Sequence, residues 1–280
     1  MLNTKAHITV IALACLSVAC TRDQAPPEPP PPVNNVVLKE IAPLGQVLTD
    51  SAGRTLYFYT RDTTGNSVCT GGCRDAWPIF YTTTLRLGAG LAAADFGTIT
   101  RPDGAKQNTY KGWPLYYYKT DAAAGEAKGE NVGKVWFVAK PDYTIMLMNG
   151  PLIGNNGKQY TSAYVEGVEI VQYFTDASGR TLYGFKNDRN NVNKYTKEDF
   201  SNNATWPIYE VAELKKVPTG VNPADFAVIN VFTKKQLTYK GWPLYYFGPD
   251  AQQRGKTKGV SVPTPGIWPI VNQQTLVAPQ

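Results

Sequence analysis

The nonapeptide Thr-Tyr-Lys-Gly-Trp-Pro-Leu-Tyr-Tyr stands at residues 109–117 and again, unchanged, at 238–246. An identical run of nine within 280 residues marks a duplication. A duplication restricts the fold, because one pattern of contacts must close each copy. The matches extend well beyond the nonapeptide. Ser51–Asp62 (SAGRTLYFYTRD) pairs with Ala177–Asp188 (ASGRTLYGFKND), Trp-Pro-Ile at Trp77 with the same run at Trp206, and Ala-Asp-Phe at Ala94 with that at Ala224. All six tryptophans fall into pairs: Trp77 with Trp206, Trp113 with Trp242, and Trp136 with Trp268. Two modules follow, residues 40–141 and 164–275, with residues 142–163 between them.

Within each module the pattern is that of strands. The stretch around Leu48–Asp62 reads as strand, tight turn at Asp-Ser-Ala-Gly, strand, and the stretch from Ile99 to Tyr118 as a hairpin turning at Pro-Asp-Gly. In Leu56–Tyr59, alternation sends Leu56 and Phe58 to one face and Tyr57 and Tyr59 to the other. Both faces are then apolar, so the strand is expected to be covered on both. Arg74–Pro78 and Ala92–Gly97 each suit a short helical turn. The expected class is mainly β: two tandem antiparallel β-rich repeats with one or two short helices each. The intervening segment, with Met146 and Met148, reads as an alternating strand running into a turn at Gly154–Lys158. The repeated tryptophans and tyrosines are expected to fill cores, their polar tips bonded to backbone. A sugar platform built from exposed rings is the alternative.

The N-terminus carries Lys5, an apolar run from Ile8 to Ala19, and then Cys20. The run is short for a bilayer span, and with its charged start it reads as a signal peptide over residues 1–19. Leu-Ser-Val-Ala-Cys ahead of the mature chain resembles a lipobox, which implies lipidation of Cys20. Leu16 lies one position further from the cysteine than the usual pattern. Residues 20–39 then form a linker rich in proline between Pro26 and Pro32. Such a run holds an extended polyproline II spacer at about 3.1 Å per residue. Thr21, not an acidic residue, follows the cysteine, which points to the outer membrane as destination.

Composition narrows the function classes. The one histidine, His7, lies within the signal, so the mature chain has none. Ser-His-Asp and Cys-His catalysis, His-ligated zinc and a C-x-x-C-H haem attachment are thereby excluded. Removal of Lys5 with the signal takes the formal net charge from +6 to +5. Its basic residues are scattered, which speaks for a solvated surface and against nucleic acid.

Cys69 and Cys73 stand four apart across Thr-Gly-Gly. Three readings are open: a structural disulfide, the default outside the cytoplasm; a redox-active dithiol; and a metal or haem ligand set drawing on Asp62, Asp75 or a tyrosine, for which two thiolates alone are too few. Tyr57, Tyr59 and Asp62 form Y-x-[FWY]-x-x-D, and Tyr183, Phe185 and Asp188 repeat it. Each Asp suits a turn cap and each aromatic suits packing. With Gly-Arg-Thr-Leu-Tyr, Cys-Thr-Gly-Gly-Cys and the nonapeptide, these motifs resemble the bacterial predicted lipoproteins defined by that motif, a secreted repeat of unknown function. The resemblance runs from about residue 45 to 272 and implies an extracytoplasmic repeat lipoprotein with no established activity. Counting back from Trp206, Glu198 and Asn202 stand where module 1 has its cysteines, so the fold does not require the thiols.

The expectation is a lipid-anchored protein of the cell envelope, non-enzymatic, serving as a binding or structural module for envelope proteins or a small ligand, and needing no cofactor. A redox or electron-transfer accessory working through Cys69–Cys73 or a bound metal or haem is the alternative.

Overall fold

Val36–Ile41 (β1) and Gly45–Asp50 (β2) open the fold as an antiparallel hairpin in which Val36 faces Asp50 and Ile41 faces Gly45. The computed structural model describes residues 1–2 and 35–280. The expected signal peptide over 1–19, the lipidation site Cys20 and the Pro-rich run lie outside the described residues. β1 begins inside the stretch read as linker, because Val36 is apolar and packs into the core with no exposure.

The turn after β2 closes as expected, with Asp50 N–H donating to Arg54 O at 3.0 Å and Gly53 N–H to Asp50 O at 3.0 Å. The two strands do not continue as a hairpin. Tyr57–Tyr59 (β3) leaves β2 and pairs with Trp136–Val138 (β7), setting Tyr59 opposite Trp136 and Tyr57 opposite Val138. The reason is the doubly apolar strand: Leu56 and Phe58 enter the large core, while Tyr57 and half-buried Tyr59 enter a smaller cluster on the other face. Between β3 and β7 come a short helix, Gly72–Ala76 (α1), and the hairpin of Phe96–Thr100 (β4) and Lys106–Tyr110 (β5). Gly104 makes that turn at φ +80°, a left-handed geometry that glycine adopts without strain. Trp113–Pro114 (β6) completes the three-stranded sheet β4-β5-β6.

Module 2 repeats the plan. Ile145–Gly150 (β8) pairs with Val171–Asp176 (β11), placing Ile145 opposite Asp176 as β1 places Val36 opposite Asp50. The segment 142–163 therefore contains the first strand of module 2. Alternation through Met146 and Met148 forms this strand, and both methionines are buried in the core. The Leu152–Ile153 (β9) and Gln159–Tyr160 (β10) hairpin is inserted between β8 and β11, where module 1 has the short turn between β1 and β2. Phe226–Val231 (β12), Lys234–Tyr239 (β13) and Trp242–Pro243 (β14) form the second three-stranded sheet.

The architecture is mainly β in small antiparallel sheets, with α1 the one α-helix among the described residues. The described residues 35–280 belong to one compact unit. One hydrophobic cluster draws Phe58, Trp113 and Phe137 from module 1 together with Met148, Phe174 and Tyr239 from module 2, so the modules share a core. Trp113 is fully buried and donates its indole N–H to Ala177 O of module 2 at 2.9 Å. The Arg254 guanidinium lies 4.0 Å above the same ring. It reaches Ser178 O in module 2 and Asp62 O in module 1, and burial pushes its pKa down to about 10.

Candidate functional site

Of the Y-x-[FWY]-x-x-D residues, Tyr57, Asp62, Tyr183 and Asp188 are buried and bond within their own module, whereas Tyr59 and Phe185 are half-buried. The Tyr57 hydroxyl donates to Asp121 at 2.6 Å, and the matching Tyr183 hydroxyl donates to Asp250 at 2.6 Å. Asp62 is fully buried. One carboxylate oxygen accepts from the Tyr116 hydroxyl at 2.6 Å, the other from Val68 N–H at 2.8 Å. Asp188 repeats both bonds, from the Tyr245 hydroxyl at 2.8 Å and Lys194 N–H at 2.7 Å. Each Asp thus closes a loop six residues long, a longer reach than the Asx turn expected from sequence. Burial pushes the Asp62 carboxyl up to about 7, against the pull of Tyr116 and Val68, and burial pushes Asp188 up to about 6. A third phenol–carboxylate pair links Tyr117 to Asp50 and Tyr246 to Asp176, each at 2.9 Å.

These pairs involve Tyr116, Tyr117, Asp50 and Asp121, which sequence reading did not single out as partners. The signal was in the repetition: both tyrosines lie inside the nonapeptide, and Asp50 and Asp176 precede matching turns. The correspondence of two distant segments in both copies becomes a contact only in the folded chain.

Cys69 and Cys73 form a disulfide, with Cα atoms 5.3 Å apart. Cys69 is buried, and its carbonyl accepts from Arg101 at 2.7 Å. Arg101 is also buried and donates to Ser67 and to Gln107. In module 2, Asn202 replaces Cys73. Its side chain accepts from Lys197 N–H at 3.1 Å and donates to Tyr195 O at 3.1 Å. Two hydrogen bonds there tie down the loop that module 1 holds covalently, which explains why the fold dispenses with the cysteines. Among the described residues no three Cys, Asp or Glu groups converge as a metal site.

The modules also differ beside their second tryptophan. In module 1 the Phe58 ring stacks on Trp113 with centroids 5.5 Å apart. Gly184 stands at the matching position in module 2, and a Cβ built there would lie 3.9 Å from the Trp242 ring. Val271 stands where module 1 has Ala139, and both accept a backbone N–H from the paired strand (Phe174 and Leu48, each at 2.8 Å). With no aromatic ring on Gly184, an open groove of about 770 Å³ runs past Trp242, Tyr164, Ile170, Gln172 and Gln274. Trp242 is half-buried, its indole N–H bonded to Leu276 O of the C-terminal tail at 2.8 Å. The tail thus supplies the carbonyl that module 2 supplies to Trp113. Glu169 is the one charged residue lining the groove, and its carboxylate accepts from Ser162 N–H at 2.7 Å.

Residues 41–80, 97–140 and 234–272 match the model of a family described as a secreted repeat of unknown function. Those three stretches carry that family's repeat. Two of the three matched stretches cover module 1, including the disulfide loop, and the third covers the end of module 2. The unmatched first half of module 2 is where Gly184 and Asn202 replace Phe58 and Cys73. The family description names no activity. No curated protein and no solved structure matches the chain. Among the described residues no helix is long and apolar enough to cross a membrane.

Proposed function

We propose that the protein is a lipid-anchored, extracytoplasmic and non-enzymatic binding module whose ligand site is the groove beside Trp242. The observation that carries the reading is the replacement of a core phenylalanine, Phe58, by Gly184 beside Trp242, where the matching ring of module 1 packs on Trp113. Residues around the motif hold the fold in both copies, whereas the groove exists in one. Its lining joins aromatic faces to amides and hydroxyls, with no cation among the lining residues. This chemistry suits a small uncharged ligand with a flat apolar face and hydroxyl groups, as in a neutral sugar. Cys20 behind its apolar run and the proline-rich spacer support the anchor, and Thr21 after the cysteine supports the outer-membrane destination.

The test is a titration of the full chain with neutral mono- and oligosaccharides, followed by calorimetry and intrinsic fluorescence. Saturable binding is expected in the wild type. It is expected to vanish in Gly184→Phe combined with Val271→Ala, which restores the module 1 pair. Binding that survives in the filled variant, or no binding by the wild type, overturns the reading.

A further inference from the structure

Four rings of module 1 form a continuous stack. Tyr118 lies on Trp77 at 4.1 Å between centroids, Trp77 on Trp136 at 3.7 Å with planes 3° apart, and Trp136 on Tyr59 at 4.1 Å. The two indoles are buried, and the terminal tyrosines are half-buried. The register of β3 on β7 produces one end, because Tyr59 faces Trp136 directly. Module 2 builds the same stack from Phe247, Trp206, Trp268 and Phe185, with centroids 4.3, 3.7 and 4.4 Å apart. Packing is thus satisfied by phenylalanine at both ends. Module 1 instead carries a phenol at each end. Phenols and indoles are the side chains that lose one electron most readily after thiolates, whereas a phenylalanine ring is inert to the same oxidants. Rings in contact exchange an electron vacancy far faster than rings separated by solvent.

We infer that the Tyr118–Trp77–Trp136–Tyr59 stack is a one-electron relay joining two surface positions of module 1, and that its module 2 counterpart is the same scaffold with inert ends. An outer-sphere one-electron oxidant at Tyr118 takes an electron from the ring, and the phenolic proton passes to water. An electron then moves from Tyr59 through Trp136 and Trp77 to Tyr118, which recovers a proton from water as Tyr59 releases one. A one-electron donor at the Tyr59 end, such as a reduced metal complex, refills that ring, and Tyr59 takes its proton back. One electron has crossed from donor to oxidant, with no net change in the protein. This relay involves neither the groove beside Trp242 nor any sugar, so its fate is independent of the binding function.

The test is flash photo-oxidation of the full chain by tris(bipyridine)ruthenium with persulfate, following tyrosyl and tryptophanyl radicals by transient absorption. Every protein compared also carries Tyr81→Phe, because that exposed phenol would add a background. Tyr59→Phe together with Tyr118→Phe gives module 1 the ends of module 2, so the fold has a native precedent for the change, and near-ultraviolet circular dichroism checks it. The reference protein is expected to finish on tyrosyl radical. The doubly substituted protein is expected to hold tryptophanyl radical at least tenfold longer, and each single variant to finish on the remaining terminal tyrosine. An unchanged tyrosyl yield in the double variant, as when Tyr57 or Tyr116 takes up the vacancy, overturns the relay. An unchanged tryptophanyl lifetime also overturns it.

Discussion

Replacing Asp62 by Asn should flatten the pH dependence of folding stability. Asp62 has an ordinary carboxyl value of 3.8, and burial in the folded protein moves it to about 7. In the folded state the neutral acid is favoured, so between these values the folded chain binds more protons than the unfolded one. Stability is then greatest below the unfolded value and falls as pH rises, until the folded group has also ionised. The full loss corresponds to about 4 kcal/mol at 1.36 kcal/mol per pH unit, and between about pH 5 and about pH 8 it amounts to roughly 3 kcal/mol. Asn at this position keeps a carbonyl for Val68 N–H and offers an amide to the Tyr116 oxygen, whose hydroxyl turns to Ser67, already within hydrogen-bonding reach. The assay is urea unfolding of wild type and Asp62→Asn at both pH values. Asp188 and Asp121 are raised in the same direction by burial and remain in both proteins. Their contribution therefore cancels in the comparison. The wild type should lose roughly 3 kcal/mol more than the variant on going to the higher pH. Equal slopes for the two proteins, or a wild type that gains stability with pH, would show that the folded protein does not hold Asp62 as the neutral acid.

Gly129→Ala should cost about 1–3 kcal/mol by overpacking, since a Cβ there would stand 2.8 Å from ring atoms of both Trp77 and Tyr57; thermal unfolding checks it, and a neutral result would mean that the rings yield. Cys69→Ser with Cys73→Ser should cost about 2 kcal/mol, because the closed loop is short and the neighbouring Arg101 bonds persist. Loss of the folded state in that variant would show that the disulfide holds more than its own loop.

Sequence alone determined the building block and its multiplicity. The nonapeptide, the paired tryptophans and the strand–turn punctuation require one β-rich unit made twice, because backbone turns and period-two alternation are local properties of the chain. The doubly apolar run Leu56–Tyr59 also announced its burial on both faces, and the Cys–Thr–Gly–Gly–Cys spacing left a disulfide among its open readings. Boundaries were less legible. Residues 142–163 looked like a bridge, since β8 owes its membership of module 2 to pairing with β11, which lies beyond an inserted hairpin. Tertiary structure decided the rest, because phenol–carboxylate pairs such as Tyr116–Asp62 join positions 54 residues apart. It also decided the difference between the copies. Exchanging Phe58 for Gly184 is a single letter in an alignment of the modules, and becomes a groove only when Trp242 lies beside it. Likewise, tyrosine or phenylalanine at the ends of a ring stack reads as conservative until folding brings four rings face to face. Contacts of this kind depend on which surfaces a compact chain brings together, and no local preference of the backbone encodes them.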